Sequence, residues 1–117
     1  MKLRKGEREA LAHIRKLVID THWIKGRYTT IDFNGKEKYC LVGFVNAETG
    51  IESNMGSRNS ILAREKNTKR TRLLLALEHA MTELFPDTYH ENIEYFNDKK
   101  STKRKDILEV IDKALEY

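Results

Sequence analysis

The stretch Arg27–Val45, RYTTIDFNGKEKYCLVGFV, changes its pattern halfway, and that change decides the fold class. Tyr28, Thr30, Ile31 and Phe33 are strand formers. Asn34-Gly35 after them suits the left-handed conformation of a two-residue hairpin turn. The return strand, Glu37 to Tyr39, is expected to pair with Thr30–Asp32. From Cys40 onward Leu41, Val42, Phe44, Val45 and Ala47 are too crowded for a half-exposed strand. Gly50 offers a helix stop, so a short helix is expected here. An isolated hairpin is marginal in water and must lie against other elements.

The flanking segments supply those elements. Before the hairpin, Ala10, Leu11, Ile14, Leu17 and Val18 fall at i, i+3, i+4, i+7 spacing and predict a helix over Glu7–Asp20. After it, Leu73, Leu74, Leu77, Ala80, Met81 and Leu84 form a broad apolar stripe. It begins at Thr68 or Asn67 as N-cap and is stopped by Pro86. Ile107, Leu108, Ile111, Ala114 and Leu115 give a last helix, expected to open at Thr102 or Ser101. The piece Ile93 to Phe96 reads as extended, a third strand beside the hairpin. The expected fold is therefore an α+β single domain over residues 1–117: three main helices and one short helix packed with a small antiparallel sheet.

The totals bound the rest. With 117 residues, two separate cores would each be too small. The chain is 39% hydrophobic and 34% charged, and no apolar run nears the ~20 residues of a membrane span. The opening residues carry charge but no apolar core, so no secretory leader is expected. Cys40 is the single cysteine. That excludes an intrachain disulfide and a cysteine-rich metal site, and fits a cytoplasmic-type compartment. His13, His22, His79 and His90 show no metal-ligating spacing, and no cofactor motif is present.

Charge is sorted into blocks. Six cations, Arg58, Arg64, Lys66, Lys69, Arg70 and Arg72, stand against Glu65 alone, within a connection (Ile51–Thr68) and helix start that lack periodicity. Long aperiodic connections are often functional or flexible loops. This makes Ser53–Arg72 the expected working surface of a non-enzymatic binding protein, with Arg58, Arg64, Lys69, Arg70 and Arg72 facing a protein partner or an anionic ligand. Trp23 or Tyr28 would offer a stacking face, and Asn97 a polar contact. Mutual neutralisation of the blocks is the competing expectation. A nucleotide or nucleic-acid binder is the first alternative, although no aromatics interleave with the cations. A cysteine-dependent enzyme is the second, with Cys40 at a helix N-terminus, His22 or His90 as base, and Asn97 or Asp98 orienting it. Against it stands a Cys40 that only fills an apolar gap. Asn97-Asp98 likewise reads both as a turn into the last helix and as part of a ligand site.

Three pieces in order carry a resemblance: IRKLVIDTHWIKG, YCLVGFV, and YFND before a Thr-started helix. From Ala10 to Ala114 the chain resembles a family of small uncharacterised proteins from actinobacteria and their phages, a domain of unknown function. Trp23 and Gly26 match that family's Trp-x-x-Gly turn. Cys40 and Gly43 match its Cys-Ala-x-Gly-Ala segment, and Asn97, Asp98 and Thr102 match its Trp-Asn-Asp motif before a final helix. Leu41 and Phe44 replace small alanines, and Phe96 replaces tryptophan. The resemblance implies the fold, a phage or mobile-element setting, and no particular activity.

Overall fold

The computed structural model describes residues 1–117. Three long helices, α1 (Lys5–Ile19), α4 (Lys69–Leu84) and α6 (Arg104–Ala114), pack on one another. Three short ones, α2 (Leu41–Glu48), α3 (Arg58–Arg64) and α5 (Ile93–Asp98), fill the spaces between and beside them. A two-stranded antiparallel sheet, β1 (Thr29–Ile31) with β2 (Glu37–Tyr39), precedes α2. The protein is mostly helical with a small sheet, as the α+β reading expects.

The apolar stripes meet as their spacing requires. Ala10, Leu11, Ile14 and Val18 of α1, Leu73, Leu74, Ala76, Leu77, Ala80 and Met81 of α4, and Ile107, Val110, Ile111 and Ala114 of α6 are all buried. Helix α2 is buried from Leu41 through Asn46, which explains why it is hydrophobic all round rather than striped. Phe44, at its middle, is 1% exposed, and burying a ring of that size contributes about 2–3 kcal/mol. Asn46 is buried at its end but fully used. Its Nδ2 donates to the carbonyls of Ser53 (3.0 Å) and Gly56 (3.3 Å), and its Oδ1 accepts from Arg70 Nη1 at 2.9 Å.

Four local expectations are corrected, each by a side chain. Helix α1 begins at Lys5 rather than Glu7 because Glu7 Oε1 reaches back to accept from the Arg4 backbone N–H at 2.8 Å. Five residues, not two, separate the paired strands, and β2 pairs with Thr29–Ile31 rather than Thr30–Asp32. Asp32 Oδ1 accepts from the amides of Asn34 (2.9 Å) and Lys36 (3.0 Å) and draws the turn around itself, leaving Gly35 at φ +78°. The last helix begins at Arg104, since the carboxylate of Asp106 accepts from Lys103 N at 2.8 Å, and Thr102 is buried just before it. Ile93–Phe96 is no strand. Asn92 Oδ1 accepts from Tyr95 N at 2.9 Å as a helix N-cap, and Ile93 and Phe96, three apart, turn inward from α5. The backbone beside β2 is instead Trp23, in a parallel bridge to Tyr39.

The basic connector holds a short helix within its aperiodic stretch. Its middle is helix α3, capped by Ser57 and anchored by Ile61, which is 1% exposed. Arg58 makes two 2.6 Å bonds to Glu78. Arg70 chelates Glu65 and donates to the Met55 carbonyl at 3.0 Å. Arg72 binds Glu7 through Nε at 2.6 Å. Burial alone would push the Glu7 carboxyl up, but the bonds from Arg72 and from Arg4 N outweigh it and hold it below the usual carboxylate value. Three of the five cations expected to face a partner are thus spent inside the chain, and Arg64 and Lys69 form no ion pair.

Candidate functional site

The Asn97-Asp98 corner ties three segments together. Asn97, 1% exposed near the end of α5, accepts through Oδ1 from Trp23 Nε1 at 2.7 Å and from Leu41 N, the first amide of α2, at 3.1 Å. Its Nδ2 donates to the Ile24 carbonyl at 3.2 Å and to Asp98 Oδ1 at 2.9 Å. Asp98 Oδ1 in turn accepts from Gly26 N at 2.7 Å. One carboxamide therefore fixes the segment after α1, the start of α2 and the end of α5. Lys25 adds a clamp, its Nζ donating to the carbonyl of Lys99 at 2.6 Å.

Between these tied segments lies a cavity of about 420 Å³. Gly26, Arg27 and Tyr28 form its wall on one side, and Asn92, Glu94, Tyr95 and Asp98 form it on the α5 side. Cys40 is the buried part of the lining. Tyr28 donates its hydroxyl to Glu94 Oε1 at 2.8 Å, bridging the two walls. Burial, then the bond to Glu94, pushes the Tyr28 phenol up to about 12. One oxygen of each carboxylate, Glu94 Oε2 and Asp98 Oδ2, has no donor from the protein.

Trp23, Cys40, Asn97 and Asp98, all singled out from the sequence, are gathered here. Trp23 is a half-buried support, its indole N–H spent on Asn97, with Lys25 Nζ 5.8 Å from its ring. His22 is turned to the surface with Nδ1 against the Glu37 carbonyl, and His90 is exposed against Tyr89. Neither lines the cavity with Cys40. Arg58, Arg64, Lys69, Arg70 and Arg72 lie outside its walls. No group of three or more His, Cys, Asp or Glu side chains is placed to hold a metal ion. An extended reading of Ile93–Phe96 hides Glu94 and Tyr95 as wall residues and Asn92 as the cap before them. Read as helix, Glu94 and Asp98 stand four apart on one face.

Of the two readings of Cys40, the geometry favours the one in which it fills an apolar gap. Cys40 is 6% exposed, and burial raises its thiol to about 11. The Gly43 amide, donating to Sγ at 3.4 Å, opposes that rise, while the charges of Asp98 and Glu94 add to it. With the free-thiol value at 9.0, this leaves about a hundredfold less thiolate at neutral pH. Iodoacetamide at pH 7.5 is accordingly expected to label native Cys40 at least about a hundredfold more slowly than the urea-unfolded chain. Equal rates in the two states would contradict this placement.

These features define a small helical domain with a polar, aromatic-walled pocket and an unactivated cysteine. The chain matches the Family of unknown function (DUF6197) over residues 5–117 and belongs to that family. No protein of curated function and no solved structure is significantly similar to it.

Proposed function

We propose that this is a non-enzymatic binding protein whose working site is the pocket between Tyr28 and α5. The observation that carries the reading is the Asn97 network. It holds three chain segments in place around a cavity while the polar groups of Glu94, Asp98, Tyr95 and Asn92 are left along the wall. A rigid support behind hydrogen-bonding groups is what binding without reorganisation requires. The protonated state favoured for Cys40 supports binding over thiol chemistry. The ion pairs of Arg58, Arg70 and Arg72 favour the pocket over the basic segment as the contact surface.

The test is a fragment screen read by amide shifts in a ¹⁵N-labelled sample. Fragments that bind are expected to move the amides of Gly26, Tyr28, Glu94 and Asp98. Hits confined to the surface around Arg64 and Lys69 would return the working surface to the basic segment and overturn the proposal.

A further inference from the structure

The pocket's charge is unbalanced. Two carboxylates, Glu94 and Asp98, each offer an oxygen with no protein donor, and against them stands one guanidinium, Arg27, exposed and paired with neither. The same two carboxylates penalise a negative charge on both other titratable wall groups, the Tyr28 phenol and the Cys40 thiol. The aromatic lining has the same preference. Tyr95 presents a ring that is 58% exposed, and the ammonium of Lys99 already sits 5.9 Å from its centroid. An anion entering here would meet two like charges, whereas a cation would meet two carboxylate oxygens and an aromatic ring, opposed by the exposed Arg27 and by a Lys99 ammonium already neutralised by Glu91.

Resting on the reading of this cavity as the working site, we infer that its ligand is an organic cation: an amine, amidine or guanidinium group seated between Glu94 and Asp98 beside Tyr95. The group comes either from a small molecule or from an arginine or lysine side chain of a peptide, since both present the same head. Donation to Glu94 Oε2 and Asp98 Oδ2 uses the acceptor capacity that the protein leaves open, and charge assistance strengthens each bond.

Benzamidine, benzamide and benzoate share one shape and differ in charge, so titrating the three into the ¹⁵N-labelled protein isolates the charge. Benzamidine is expected to move the Gly26, Glu94 and Asp98 amides at concentrations where the other two do not, with an affinity that falls as salt is added. Glu94→Gln and Asp98→Asn keep the acceptors used by Tyr28 and Gly26, and each is expected to weaken benzamidine by about threefold to tenfold. Arg27→Gln is expected to strengthen it by about twofold, a gain that damage to the fold would not produce. Acetyl-Gly-Arg-Gly-amide against acetyl-Gly-Gln-Gly-amide reports the peptide source: the arginine peptide binding at least as tightly as benzamidine assigns the head group to a peptide, and weaker binding assigns it to a small molecule. Benzamide or benzoate binding in this cavity as well as benzamidine would overturn the cation inference and leave the binding site standing. If none of the three, and no other fragment, moves these amides, the inference fails together with the site itself.

Discussion

Gly43→Ala is expected to cost about 3 kcal/mol or more, lowering the thermal midpoint by roughly 10–15 °C. A Cβ built at Gly43 falls 2.0 Å from the Tyr28 carbonyl oxygen and 3.0 Å from its carbon, and both are backbone atoms. A clash with a flexible side-chain tip relaxes by rotation, but a clash with backbone moves a chain segment. Here the segment is Tyr28, the residue between Arg27 and β1 that lines the pocket, so the substitution is also expected to disturb the Tyr28–Glu94 bridge. Gly6→Ala is the control. Its methyl group would meet only the end of Lys69, 3.8 Å away, and an alanine in the first turn of α1 is expected to be neutral or to add up to about 1 kcal/mol. Circular dichroism melts of the two variants make the comparison. A Gly43→Ala midpoint within a few degrees of the parent would mean that α2 does not press on Tyr28 as described.

The glycine shows why some of this architecture could be read from the sequence and some could not. The long helices were legible because a stripe of Leu, Ile and Ala at helical spacing carries its own period, and α4 begins where Thr68 Oγ1 accepts from Thr71 N. The helix at Leu41–Glu48 was legible from its density of apolar residues. Gly43, by contrast, is a poor helix former placed inside that helix. Its reason is the approach of Tyr28, fifteen residues earlier, which no local pattern records.

The same holds for the site. Trp23, Cys40, Asn97 and Asp98 stood out individually, but the bonds that tie the Asn97-Asp98 corner to Trp23, Gly26 and Leu41 span 56 to 74 residues of chain. Asn92 as a helix cap was the available signal for the α5 wall. The β-branched and aromatic content of Ile93–Phe96 outweighed it in a segment too short to show a period. In the basic connector, three cations follow the expectation of mutual neutralisation, and only their partners were illegible. Counting cations along the chain does not reveal that Glu7, Glu65 and Glu78 are folded against Arg72, Arg70 and Arg58.

The second large effect is expected at Asn97. Leucine keeps the heavy-atom count and branching of asparagine but puts two methyl groups in place of the planar amide, so Asn97→Leu removes every bond and adds some overpacking at a buried position. It leaves the Trp23 indole N–H, the Leu41 amide and the Ile24 carbonyl without their partner in a half-buried to buried setting. Each group so stranded costs about 1–3 kcal/mol where water cannot replace the bond, and partial access lowers the sum. A loss of about 3 kcal/mol is expected. Trp23→Phe alone removes only one of the three partners and is expected to cost less. Because the two side chains share a bond, their effects are expected to fall short of additivity.

The central claim is that this one carboxamide holds the pocket's walls together, and urea unfolding of Asn97→Leu, Trp23→Phe and the double variant measures it most directly. The account predicts a loss of about 3 kcal/mol for Asn97→Leu and a double variant less destabilised than the sum of the singles by about 1 kcal/mol. An Asn97→Leu protein within about 0.5 kcal/mol of the parent, with strictly additive effects, would contradict it.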